Sequence, residues 1–198
     1  MSFELVNTLA TLGTFVVIAA TAIAAIVQLR HMRGSNHIIA LNELRETMET
    51  PSFQKALHFV QGELSTKLQD PTFRHGIVQP SARNEDDRPL HAMVNAIGNF
   101  YESAGVLVSM GLVDRELVAR MWCENVIGAW KRLAPVTAIA RRSSGEAVWE
   151  NFEYLAVISQ DWLAAHPNGV YPVGLRRIDL EDAWLETDRQ YAAATAPA

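Results

Sequence analysis

The chain has 198 residues, 49% hydrophobic and 20% charged, with a formal net charge of −5. One cysteine excludes a disulfide framework and a cysteine-rich zinc module. Seventeen basic against 22 acidic residues speak against a general nucleic-acid binder, and the apolar content excludes a disordered chain.

The charge is unevenly placed. Residues 5–29, LVNTLATLGTFVVIAATAIAAIVQL, carry none. As a helix rising about 1.5 Å per residue they would reach roughly 37 Å, against about 30 Å of bilayer hydrocarbon. Asn7 and Gln28 lie near the ends of the run, and its threonines can bond back to their own helix. The run therefore reads as a membrane span. A cleaved signal peptide would want a basic start and a shorter apolar core, whereas this chain begins Met-Ser-Phe-Glu.

Orientation follows from the basic residues. None precedes the span, while Arg30 and Arg33 follow it at once as a membrane collar. By the positive-inside rule the N-terminus is expected outside and the body in the cytoplasm. The single Cys123 agrees with a reducing compartment. Ala20 and Ala24 have the spacing of a helix-packing face, which would allow a homo-oligomer, although alanine is equally a neutral filler in lipid.

The rest of the chain has helical periodicity. Ile38, Leu41, Leu44 and Met48 form one stripe, and only Gly34 separates it from the span. Thr50-Pro51 and Asp70-Pro71 read as N-caps with proline at the first helical position. The first opens a helix carrying Phe53, Leu57, Val60 and Leu64. The polar stretch at 79–89 is a loop. A helix over roughly 90–110 follows, closed by Gly111, and Asp114 caps the next, over 115–133. Pro135 is expected to end that helix. Ser143 with Glu146 reads as a capping box for a helix that His166-Pro167-Asn168-Gly169 stops. Residues 178–190 suggest a short acidic helix. No alternating strand pattern appears.

The expected fold is therefore all-α: a transmembrane helix followed by a cytoplasmic bundle of five or six helices. Residues 1–34 form anchor and collar, 35–167 the helical domain, and 168–198 an extended acidic tail.

Motifs for chemistry are missing. The sequence has no phosphate loop, no GxSxG and no HExxH, and no glutamate has a histidine three residues on. No catalytic residue, metal or cofactor is therefore assigned. Asn95, Asn99, Glu102, Ser103 and Ser109 share one stripe of an otherwise apolar helix. The stripe is either a solvent face or a polar seam in which Glu102 is paired. Arg141 and Arg142 are the candidate partners, because a buried carboxylate without one costs several kcal/mol. Trp122, Trp130, Trp149 and Trp162 fall on inward faces. Trp184 lies in the tail with Leu180, where it either docks on its own domain or anchors a partner.

These residues carry a resemblance. A single N-terminal span and a basic break precede Asn95, Phe100, Tyr101, Glu102, Gly105, Leu107, Gly111, Leu112, Val113 and Asp114, with Trp130, Leu133, Pro135 and Arg141 downstream. Over residues 1 to about 165 the pattern resembles a bacterial family of small membrane-anchored helical proteins known only as a domain of unknown function. The resemblance implies an inner-membrane address and no catalytic residues.

Two functions remain from the residues, besides a weaker channel-forming reading. The first is a membrane-anchored protein-interaction or accessory module, held to the lipid bilayer by residues 5–29 and binding another protein but no nucleic acid. The second is an enzyme or sensor that binds an anionic small molecule near Glu102 and Arg141.

Overall fold

The computed structural model describes residues 3–195, apart from the side chains at positions 5, 6, 9, 10 and 29–37. The side chains of the expected collar, Arg30 and Arg33, therefore lie outside the described residues. All regular structure among the described residues is helical.

Helix α1 runs Phe3–Glu49 without a break, so Gly34 does not interrupt it. Its stretch Thr11–Gln28 is long and apolar enough to cross a membrane, and none of it is buried. Thr8, Thr11 and Thr21 bond back to the carbonyls of Glu4, Asn7 and Val17 at 2.8–2.9 Å. Each threonine hydroxyl is thereby satisfied within the helix. At the other end of α1, Leu41 and Leu44 are buried, and Ala40 and Met48 pack on the core. Ile38, expected on the same stripe, is exposed, because burial of α1 begins only near Leu41.

Thr50 caps α2 (Pro51–Gly62) and Asp70 caps α4 (Pro71–Val78), with the one-turn α3 (Leu64–Lys67) between. A 3-10 turn at Pro80–Ala82 leads to α5 (Arg88–Ser109). Gly111 takes φ +68, and the N–H groups of Gly111 and Leu112 return to the carbonyls of Val108 and Leu107. This left-handed closure needs a residue without a Cβ. Asp114 then accepts the Leu117 N–H at 2.8 Å and opens α6.

Helix α6 spans Arg115–Ser144 and does not end at Pro135. Proline removes the bond that its N–H would make to the carbonyl four residues back. Here that carbonyl belongs to Lys131, and both residues are exposed, so water can take the place of the missing donor. Buried Leu133, Val136, Thr137 and Ile139 hold the helix together through the proline. The capping box expected at Ser143 does not form either. Ser143 is still inside α6, whose end is at Gly145 with φ +85, and α7 (Glu150–Ala165) starts five residues later.

The core lies where α5 packs against α2, α6 and α7, with α4 against α6. Phe73, Ile97, Leu133, Phe152 and Leu155 are fully buried there. Each such side chain contributes about 1.5–3 kcal/mol. A chain of ring contacts links Phe53, Phe100, Tyr101, Phe152 and Trp130 at centroid distances of 4.8–5.1 Å.

Residues Met1–Ala165 form one compact unit and His166–Ala198 a second. In the second, the Arg177 guanidinium lies 4.9 Å from the Tyr171 ring centroid and donates to the Asn168 carbonyl at 3.1 Å. The short helix sits later than expected, as α8 (Leu185–Thr195). The reason is local: the Asp182 carboxylate accepts the Trp184 N–H at 3.1 Å and forms a turn there.

Candidate functional site

The polar stripe of α5 faces the start of α7. Glu102 reaches across with both oxygens. Its Oε2 accepts the backbone N–H of Phe152 at 2.9 Å, and its Oε1 accepts from Asn151 Nδ2 at 2.8 Å. Phe152 is the third residue of α7, whose first turn has donors with no partner inside the helix. A carboxylate there satisfies a donor and complements the positive end of the helix dipole. The cap that local sequence was expected to supply thus comes from a helix about fifty residues away.

The neighbours of Glu102 do related work. Asn99 Oδ1 accepts from Trp149 Nε1 at 3.0 Å, and Ser109 Oγ lies 3.3 Å from Asn151 Oδ1. Trp149 stands at φ +52, which is unusual for a bulky residue and costs on the order of 1–3 kcal/mol. The Asn99 bond and burial against α5 hold it there. Gly98 and Gly105 allow the close approach. A Cβ on Gly98 would enter the Trp149 ring, and one on Gly105 would meet the Asn151 carbonyl.

The expected partners of Glu102 are elsewhere. Arg141 Nη2 donates to Glu153 Oε2 at 2.7 Å, its Nε to the Val148 carbonyl at 3.1 Å, and its Nη1 lies 3.6 Å from Glu146. With its side chain 17% exposed, Arg141 ties the end of α6 to the turn and to α7. Arg142 and Asn95 are exposed and outside the seam. The geometric reason is that Glu102 faces the first turn of α7, where backbone and amide donors replace a guanidinium. Asn99 and Glu102 are thus matched to donors of the Trp149–Phe152 segment.

A second polar cluster is absent from the sequence reading. Asp87 is buried and accepts from Lys67 Nζ at 3.1 Å and Asn84 Nδ2 at 2.8 Å. Burial pushes its carboxyl up, but the bonds from Lys67 and Asn84 outweigh that and leave it below its usual value. His91 lies one turn on, stacked on Phe73 at 4.1 Å, with its Nε2 buried and without a hydrogen-bond partner. Burial, helped by Arg83 and opposed by Asp87, lowers its pKa to about 4. The signal in the sequence was Asn84-x-x-Asp87 just before a proline at a helix start.

A groove of about 240 Å³ opens between α2 and α6 over Tyr101 of α5. Leu57, Val60 and Ala129 line its apolar part, and Gln61, Glu124 and Arg132 its rim. No group of three or more metal-ligating side chains is present among the described residues.

A family model described as a domain of unknown function, DUF4760, matches residues 15–162. The match covers about three-quarters of the chain. The chain belongs to the DUF4760 family. Its matched region takes in the apolar part of α1 from residue 15 on, the seam of α5 and most of α7, and ends before the second unit. No curated protein and no solved structure matches the chain.

Proposed function

We propose that this DUF4760 protein is a single-pass membrane-tethered accessory module: α1 holds a helical body at the bacterial inner membrane, N-terminus outside, and the tail engages another protein. One observation carries the tether. The stretch Thr11–Gln28 is apolar, none of it is buried, and the same helix continues into the core at Leu41 and Leu44. Exposed Leu12, Phe15, Ile18, Ile23 and Ile26 would be costly in water and are at home in lipid. Continuity of α1 into the body favours an anchor over a removable leader. Arg30 and Arg33 after the span favour a cytoplasmic body.

The tail supports the partner. Leu180 is 91% exposed and Trp184 68% exposed. Residues 178–190 carry five acids and one base. Apolar anchors in an acidic frame suit a basic partner with apolar pockets. The alternative of an anionic ligand at the seam has little support, because Glu102 and Arg141 are each occupied within the protein.

A photo-reactive residue at position 184, irradiated in intact membranes, tests the partner reading. A discrete protein adduct that Leu180→Asp removes is expected. Adducts no different from those made at exposed position 142 would defeat it.

A further inference from the structure

The groove between α2 and α6 gathers polar groups that the fold does not use. Tyr101 is 3% exposed, and its ring is stacked on Phe152 at 4.8 Å. Its hydroxyl makes no hydrogen bond among the described residues, yet it is not among the oxygens and nitrogens sealed away from solvent. It is reached from the groove that the residue lines. A buried tyrosine hydroxyl normally has a partner. Burial holds its pKa at about 12, so it remains a neutral donor and acceptor. On the rim, Glu124 and Gln61 likewise bond to no other described side chain.

The rim carries both signs of charge. Arg132 folds back along α6, with Nη1 donating to the Gly128 carbonyl at 2.9 Å. Gly128 lacks a Cβ, and one added there would sit 3.5 Å from that nitrogen. The guanidinium therefore lies over Gly128, one helical turn from Glu124, and retains donors for a ligand. Glu124 and Arg132 stand eight residues apart on α6 and both line the groove, so anion and cation flank the same opening. Leu57, Val60 and Tyr101 also line the groove, and of the three Leu57 is the most open to it. A cavity of about 150 Å³ holds a benzene ring. The groove, at about 240 Å³, has room for one such ring and a short polar head.

We propose that this groove binds a free α-amino acid with an apolar side chain. Arg132 takes its carboxylate, Glu124 its ammonium, and the Tyr101 hydroxyl a carboxylate oxygen, while the side chain packs on Leu57 and Val60. The site depends on neither the span nor the tail, so it stands or falls separately from the tether and the protein partner.

The test uses the full chain in detergent micelles, titrated with L-phenylalanine and L-leucine and followed by calorimetry and ligand-observed NMR. Saturable binding is expected for at least one of them at millimolar concentration or below. Phenylacetate lacks the ammonium and phenethylamine lacks the carboxylate, so each should bind at least tenfold more weakly than phenylalanine. Arg132→Gln should weaken binding at least tenfold, and Tyr101→Phe about three- to tenfold. Gly128→Leu, favourable for a helix, should fill the opening and abolish binding while the helical circular dichroism is kept. No saturable binding of either amino acid up to about 10 mM would overturn the proposal. So would equal binding of phenylacetate or phenethylamine, or affinity unchanged by both Arg132→Gln and Gly128→Leu.

Discussion

Glu102 of α5 accepts the backbone N–H of Phe152 at 2.9 Å, so one carboxylate closes the start of α7 from across the helix interface. Glu102→Ala leaves that donor and the Asn151 amide without their acceptor. The expected loss is about 1–3 kcal/mol. Glu102→Gln keeps one acceptor oxygen and should cost less than half as much. Urea unfolding of the full chain in micelles, followed by tryptophan fluorescence, measures both. Equal losses would mean that charge rather than acceptance holds the contact.

Gly105 and Gly98 set the spacing of the same interface. An added methyl at Gly105 meets backbone, which cannot turn away, whereas at Gly98 it meets the Trp149 ring. Gly105→Ala is expected to cost about 1–3 kcal/mol or more, since overpacking a fixed contact forces the helices apart. Gly98→Ala should also shift the Trp149 emission, because the ring must leave Asn99. An unshifted spectrum would show that the ring has another resting place.

Pro135 gives a prediction of the opposite sign. It stands exposed inside a continuous helix. Pro135→Ala restores the bond to the Lys131 carbonyl and should stabilise the protein by about 1–3 kcal/mol. The urea midpoint should rise. A fall would mean that the proline ring itself is needed at that position.

His91 makes stability depend on pH. Its folded pKa is about 4, against about 6.5 for the free side chain. Between those values the unfolded chain binds more protons than the folded one, so stability falls as pH drops from about 6.5 to 4. The expected loss across that window is about 3 kcal/mol. Asp87, with its folded carboxyl held below the ordinary value of 3.8, adds a further loss only as the pH falls through and below that value. His91→Gln should remove most of the slope between pH 4 and 6.5, whatever its stability at pH 7. A slope that persists would assign it to other groups.

The features readable from sequence are those decided within one turn of chain. Thr50, Asp70 and Asp114 each cap the helix they precede, and Gly111 closes α5, because the bonding partners lie two to five residues away. Pro135 and Ser143 misled for the complementary reason. Local rules end a helix at the first and start one at the second, but packing of Val136 and Ile139 and the distant Glu102 cap override them. The α5 stripe was legible only as either a solvent face or a seam, and the partner of Glu102 was not legible, since Asn151 is reached only through the tertiary fold. The place of Tyr101 was not legible, because nothing local to it reveals that it lines a groove between α2 and α6.

The membrane tether is tested most directly by the intact mass of the chain in membranes washed with alkaline carbonate. The unshortened 22.0 kDa chain should remain in the pellet, and removal of residues 1–34 should release the rest to the supernatant. A full chain found in the supernatant, or a chain shortened by the length of the span, would contradict the tether.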